Sequence, residues 1–396
     1  MNILILTPLY KIVGRESLER NTEVIHHFAK YWVKEPDVKV RVVNTYLNPG
    51  RNMTFLLKRG ELKNYLTPYD YETDGVKVHL AEVQQIPFQS RFWHFQNQKI
   101  ENAVNAVTEK FKPDVIVAHF PVRYTGMIDR VCKGVPKIAV MHYTDLWISK
   151  KHPYQVEAIS QKFNSTFTRS KSIFEECKKL GIESLTNTIV YSGVPFAESK
   201  RETDIYFSKN KPIKLLYVGK LIKRKHLDYV IYAISQLKKT NKVILDVIGE
   251  GPEKDNYKSL AEKYGVSSEL RFIGTMSREQ VYRYMGDADI FIMPSVEETL
   301  GLVYLEAMMN GCITVGTRGE GIDGIIEDGL NGFLVEPNSA NCVYETLKKI
   351  IELSTLEAKK ISKNATETGR RFNESDMAKS YLEEIKKVVS ETGEKA

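Results

Sequence analysis

Two successive sets of short apolar runs, each alternating with amphipathic helical patterns, constrain this chain more than any other feature. In the first half, residues 2–6, 38–43, 76–81, 114–118, 137–141, 165–168 and 188–191 read as strands. In the second, residues 213–218, 243–248, 270–273, 289–293, 313–315 and 333–335 do so. Strands interleaved with helices of this length are βα units, so an α/β class with parallel sheets is expected. Leu227, Val230, Ile231, Ile234 and Leu237 form one apolar stripe, the core-facing side of a helix. Around 197–212 the pattern gives way to polar residues, which read as a linker. The expected organisation is a Rossmann-like domain over 1–198, a linker over 199–211 and a second Rossmann-like domain over 212–372. A last helix within 373–396, about 376–389, is expected to pack back on the first domain. Two doubly wound domains would face one another across a cleft, bind ligand at the carboxyl ends of their strands and close on it.

A chain of 396 residues has ample core for two such domains. Nowhere do about 20 apolar residues run together, so no membrane-spanning helix is expected, and the first residues read as a buried strand. Cys132, Cys177, Cys312 and Cys342 are scattered without metal-ligand or disulfide spacing, which fits a reducing cytoplasm. The net charge of +7 is unevenly placed: residues 1–200 hold 28 Lys+Arg against 20 Asp+Glu, and the rest 29 against 30. The basic half therefore suits an anionic partner, whether a lipid surface, a phosphate-bearing acceptor or nucleic acid, with ordinary solubilising charge as the simpler alternative.

Chemistry concentrates between Pro294 and Gly311. Glu298 stands in the turn opening a helix and Glu306 lies eight residues on, at most about 12 Å further along it. Gly301 between them permits close approach of a ligand, and the helix start offers unpaired N–H groups to a diphosphate. Acidic residues also favour helix starts for electrostatic reasons alone. The neighbouring motifs favour a site. Strand 213–218 runs into Gly219, Lys220, Lys223, Arg224 and Lys225, cations at a helix start where phosphates are held. The next strands end at Gly249 and at Ile273-Gly274.

Together these motifs resemble the retaining glycosyltransferases of family 4, which have the two-Rossmann-domain GT-B fold. The resemblance covers about 120 residues, from Val218-Gly-Lys-Leu through Ile248-Gly-Glu-Gly-Pro and Phe272-Ile-Gly to Asp328-Gly-Leu-Asn-Gly-Phe-Leu-Val335. It implies that Glu306 binds the ribose hydroxyls. It implies too that Glu298, Thr299 and the Leu300, Gly301, Leu302 and Val303 backbone hold the donor sugar and β-phosphate, with Lys220 and Lys225 on the diphosphate. Lys220 replaces the family's usual arginine, losing the bidentate fork but keeping the charge. Where the family often reads Gly-Gly-Ile-Pro-Glu, this chain reads Glu320-Gly-Ile-Asp-Gly324, so a carboxylate is missing or is replaced by Asp323.

In the first half, similar enzymes carry a glycine-bearing loop after strand one, matched here by Gly14. Lys11 and Arg15 next to it either contact acceptor or phosphate or are solvated. His142 ends strand 137–141 where the family places a histidine near the donor hexose. His119 and Arg15 are the candidate acceptor contacts, and Arg169 either supports the phosphates or pairs with a carboxylate. Lys58-Arg59 and Phe88–Phe95 form a basic, aromatic cluster suited to a lipid interface or to a packed loop.

The expected activity is transfer of a hexose from a nucleoside-diphosphate sugar, with UDP preferred, to a hydroxyl of a glycan or polyprenyl-linked saccharide. The setting is expected to be surface polysaccharide synthesis at the inner face of the membrane. Retention would follow from front-face attack, with Glu298, His142 and Lys225 as the catalytic set. No cofactor and no metal is expected; Asp287-Ala-Asp289 reads as a helix end entering a strand. An oxidoreductase lacks its Gly-x-Gly-x-x-Gly after strand one, and a nucleic-acid binder lacks a recognition motif. A phosphorylase or sugar-nucleotide epimerase of the same architecture is the remaining alternative.

Overall fold

The computed structural model describes residues 1–14, 22–48, 67–81, 83–84, 93–182, 187–196, 205–208 and 211–393. Arg15, Lys58, Arg59 and residues 85–92 lie outside that description. The chain divides into two compact units, one of Met1–Arg169, Ile173–Ser192 and Glu374–Ala396, the other of Ser170–Ser172 and Gly193–Asn373.

The first unit contains strands β1 (Asn2–Thr7), β2 (Lys39–Asn44), β3 (Leu47–Asn48), β4 (Tyr69–Thr73), β5 (Val76–Leu80), β6 (Val83–Gln84), β7 (Val115–His119), β8 (Lys137–Met141), β9 (Ser165–Thr168) and β10 (Asn187–Ile189). Its helices are α1 (Val24–Trp32), α2 (Trp93–Thr108), α3 (Tyr143–Lys151), α4 (Tyr154–Lys162) and α5 (Lys171–Lys179). Eight strands form one sheet in the order β10-β9-β8-β7-β1-β2-β5-β4, while β3 and β6 pair separately. All neighbours run parallel except β4 with β5. All five residues of β7 and of β8 are buried, as a sheet covered on both faces requires.

The edge strand β4 was not legible as an apolar run because most of its residues are exposed. Its signal is the Asp74-Gly75 pair, both at positive φ, which makes the tight hairpin into β5. Among the described residues the first helix begins at Val24.

The second unit has strands β11 (Ile213–Val218), β12 (Val243–Ile248), β13 (Leu270–Gly274), β14 (Ile290–Ile292), β15 (Ile313–Thr317) and β16 (Phe333–Val335). Its helices are α6 (Leu227–Leu237), α7 (Lys254–Lys263), α8 (Arg278–Asp287), α9 (Leu302–Met309), α10 (Ala340–Ile351) and α11 (Thr355–Arg371). The sheet order is β13-β12-β11-β14-β15-β16, all parallel. Numbered within the unit, this is 3-2-1-4-5-6. The order reverses between β11 and β14, and an open α/β sheet binds ligands outside the strand ends at such a reversal. The stripe read from the sequence holds, with Leu227, Val230, Ile231, Ile234 and Leu237 all buried on α6.

The final helix, α12 (Glu374–Gly393), belongs to the first unit and is longer than the sequence suggested. Trp32 Nε1 on α1 donates to Ala378 O at 2.7 Å, and Phe28, Trp32 and Tyr381 interlock edge to face. Glu374 at its first turn meets His27 at 2.8 Å and Lys30 at 2.9 Å.

Candidate active site

At the strand ends of the second unit, Gly249 lets backbone approach backbone. Gly249, at φ +134°, could not carry a Cβ without placing it 2.0 Å from Gly219 O. Gly219 N donates to Ile248 O and Gly249 N to Gly274 O, both at 2.9 Å, so the ends of β11, β12 and β13 form one continuous floor. Ile273, half-buried, precedes Gly274 at the end of β13.

The loops after β11 and β14 meet above the reversal point. A 3-10 turn at Lys223–Lys225 puts Lys225 Nζ 2.5 Å from Glu298 Oε2, with both side chains largely buried. Arg224 lies 3.5 Å from the same oxygen and donates to Glu297 O at 3.2 Å. Ser295 Oγ adds a contact to Glu298 at 3.4 Å. Lys220 is exposed beside this pair in sequence, at the end of β11.

Gly301, in the left-handed region at φ 80°, caps α9. A Cβ there would sit 2.5 Å from the Tyr304 ring, so both conformation and space demand glycine. Tyr304 is buried and its hydroxyl bonds Ser295 Oγ at 2.8 Å and also Met293 O, bolting α9 to the end of β14. Leu302 and Val303 are the first two residues of α9, whose N–H groups have no acceptor within the helix. Leu300 is buried and Thr299 half-buried in the preceding loop.

Glu306, on α9, is 8% exposed. Arg278 Nε and the Tyr282 hydroxyl, both from α8, lie 3.3 Å from its Oε1. Neither was singled out from the sequence. Their four-residue spacing places them on one helix face, which was the available signal.

The two carboxylates of the Glu320–Gly324 segment both accept from backbone. Asp323 turns inward to accept from Gly319 N at 2.6 Å, whereas Glu320 Oε2 accepts from Glu298 N at 2.9 Å. Burial pushes the Glu320 carboxyl up, against the hydrogen bonds from the Glu298 and Glu297 backbone. The Asp287 and Asp289 carboxylates are engaged by lysines, Lys214 at 2.8 Å and Lys211 at 3.4 Å.

In the first unit, His142 caps α3 and its Nε2 lies 3.1 Å from His119 Nδ1. His119 is the last residue of β7 and wholly buried, so its expected direct contact with an acceptor is replaced by contact with His142 and, at 3.5 Å, with the Tyr381 hydroxyl. Phe120 stacks on His142 with ring centroids 3.9 Å apart. Burial holds both histidines well below the usual range; the His142 ring adds to this at His119, and Arg169 at both, so the pair is neutral.

Arg169 follows β9, is 2% exposed, and donates to Ser192 Oγ while covering the Phe28 ring. Among the described residues it pairs with no carboxylate, and its other terminal nitrogen is buried without a partner. Burial lowers its pKa to about 10, leaving it charged at neutral pH. Gly14, at φ 72°, lies in the loop after β1. That loop is fixed by Tyr10–His26 at 2.9 Å, His26–Asp74 at 2.7 Å and Tyr71 to Lys11 O at 2.5 Å. Lys11 itself is shared between Asp74 and Glu23, each at 3.2 Å.

Residues 198–368 match the family described as Glycosyl transferases group 1. The lipopolysaccharide core biosynthesis glycosyltransferase LpsE of Rhizobium meliloti is 28% identical over 169 residues, 43% of this chain and 48% of that protein. The chain spans roughly half to three-fifths of the length of the first curated relatives it matches. Among solved structures, sucrose-phosphate synthase from Thermosynechococcus elongatus superposes with a TM-score of 0.73 at 14% identity, over 98% of this chain and 100% of that one. HepE of Anabaena, solved in complex with UDP-glucose, gives a TM-score of 0.66 at 17% identity, with 98% and 100% covered. These structural likenesses establish two Rossmann-like domains of the GT-B type.

Proposed function

We propose, from the match of residues 198–368 to the glycosyl transferases group 1 family, that the chain transfers a hexose from UDP-hexose to a hydroxyl of a glycan or lipid-linked saccharide. The observation that carries this reading is the Lys225–Glu298 pair at the reversal between β11 and β14, beside the free N–H groups of α9. Glu306 and its α8 partners receive the ribose. The floor of Gly219, Gly249 and Gly274 admits the nucleotide close to the backbone, and Lys220, Lys225 and α9 take the diphosphate. UDP as the nucleotide is supported by the HepE complex, and a surface-saccharide acceptor by the likeness to LpsE.

The chemistry is transfer with retention. The bond between the anomeric carbon and the β-phosphate oxygen breaks, and the acceptor oxygen bonds to that carbon from the same face. The acceptor's proton passes to the departing phosphate oxygen. Charge develops on that phosphate, where Lys225 and the amide groups of α9 stabilise it without reorganising. Glu298 orients the hexose hydroxyls.

The acceptor binds the basic first unit, and the enzyme works at the cytoplasmic face of a membrane, held there by charge; no helix among the described residues is long and apolar enough to cross one.

The test is release of nucleotide from UDP-, GDP- and ADP-hexoses, with and without EDTA. UDP release that persists in EDTA is expected. Absence of release and of binding for all three sugars would sink the reading.

A further inference from the structure

Glu297 is one of few residues other than glycine at positive φ, 59°. Non-glycine residues resist that conformation, so something must hold it there. The holder is the loop after β15. Glu320 Oε2 accepts the Glu298 N–H at 2.9 Å, and the Glu297 N–H also reaches this carboxylate. Next to it, Gly321 lies so close that a Cβ would stand 2.5 Å from Leu300 Cα and N. The two loops thus touch backbone to backbone along Glu297–Leu300, with Glu320 as the polar clasp.

We propose that Glu320 is a positioning residue of the donor site, setting the Glu297–Glu298 backbone so that Glu298 meets both Lys225 and the transferring sugar. This rests on the reading of the site as one for a nucleotide sugar. The residue stands where the family described above often has a glycine, and it does not touch the sugar or the diphosphate; it acts through Glu298.

The surroundings make the clasp dependent on ionisation. Glu297 and Glu298 face Glu320 from the β14 loop, and Tyr304 faces it from α9. Lys225 and Arg224, from the 3-10 turn, are spent on Glu298. On its own loop, Asp323 is turned to Gly319, and Arg318 to Asp328 and Glu336. Among the described residues no cation is paired with Glu320, which relies on backbone N–H groups. Protonating it weakens the clasp at the place where the backbone is strained.

The experiment compares the full chain with E320Q and with E320Q/E297G, using UDP-glucose turnover as a function of pH and calorimetric binding of UDP. The parent should lose kcat on the acid side with an apparent pKa above the ordinary glutamate value of about 4.3. In E320Q that acid limb should vanish, and kcat at neutral pH should fall about tenfold, the usual scale for a slightly misplaced group. The UDP Kd should change by less than about twofold, since the nucleotide is held elsewhere. Glycine at 297 adopts positive φ freely, so the double variant should recover several-fold in kcat. An E320Q enzyme with the parent's kcat and pH profile would overturn the positioning role, as would a double variant that folds and recovers nothing. A parent that binds no UDP would overturn the donor-site reading itself, and this inference with it.

Discussion

Lys225 Nζ lies 2.5 Å from Glu298 Oε2, and the two residues come from loops that follow neighbouring strands on either side of the sheet's reversal point. In the absence of ligand each neutralises the other. On the proposed function, a diphosphate arriving at Lys225 and sugar hydroxyls arriving at Glu298 would share or replace that pair. The pair therefore keeps two charged side chains aligned at modest cost until substrate supplies better partners.

On the proposed reading, replacing Lys225 with alanine removes a cation that stabilises the departing phosphate. Turnover should fall about 10²–10³-fold, the scale found for removing one preorganised stabiliser of transition-state charge. The variant also leaves Glu298 partly buried with only Arg224 at 3.5 Å, so stability should drop by about 1–2 kcal/mol. Adding Glu298→Gln should restore the stability while leaving turnover low. Nucleotide release and thermal melting, read together on the double-mutant cycle, check this; a K225A enzyme with parental turnover would contradict it.

Gly249→Ala tests the floor of the site. The added methyl would press on Gly219 O at 2.0 Å, and φ +134° is closed to alanine. A loss of about 2 kcal/mol or more is expected, because the atom in the way is backbone and cannot swing aside. Gly14→Ala, where nothing lies within 4 Å of the new methyl, should cost only the strain of its positive φ, about 1 kcal/mol. The contrast in melting temperature between the two is the measurement.

What the sequence showed and what it hid divide along physical lines. Strands β8, β11, β12 and β16 fall on the expected residues because strands of a covered parallel sheet are mostly apolar, and β9 does so on its β-branched and aromatic residues Thr166, Phe167 and Thr168. Edge strand β4, with Tyr69, Asp70 and Glu72 exposed, carries no such mark. Glu298, Glu306 and Lys225 were legible because each sits within a few residues of a glycine or helix start. Glu320 was read only as part of a departure from the family pattern, with no role of its own. Its contact with Glu298 spans 22 residues and depends on where two loops cross, which no local pattern encodes. Tyr381 reaches His119 from 262 residues away and was equally invisible.

Arg169 offers a separation of stability from activity. Its guanidinium is buried with one nitrogen unbonded and no carboxylate nearby, an arrangement that costs folding energy. Arg169→Met fills similar volume without the charge and should raise stability by about 1–3 kcal/mol. If the cation serves the phosphates or the neutral His119–His142 pair, kcat/KM should fall as the melting temperature rises. A stabilised variant with unchanged kcat/KM would assign Arg169 no part in the reaction.

Asp145 gives the pH dependence of the first unit a sign that can be checked. Its carboxyl is buried and accepts from His142 N at 2.9 Å and Val122 N at 3.4 Å, and burial still raises it to about 7. The unfolded chain releases this proton near pH 4, so between about 4 and 7 the native state holds a proton that the unfolded state has lost. The contribution of Asp145 to stability is therefore complete below about pH 4 and disappears as pH rises towards 7. Burial of His119 and His142 works the other way, since their pKa values are lowered and their neutral forms become costly in acid. The total profile mixes the two, but Asp145→Asn isolates one. The variant's melting temperature relative to the parent's should climb from pH 4 to pH 7 and level off above it. A difference that stays flat across that window would mean that Asp145 titrates in the folded protein as an ordinary surface carboxylate.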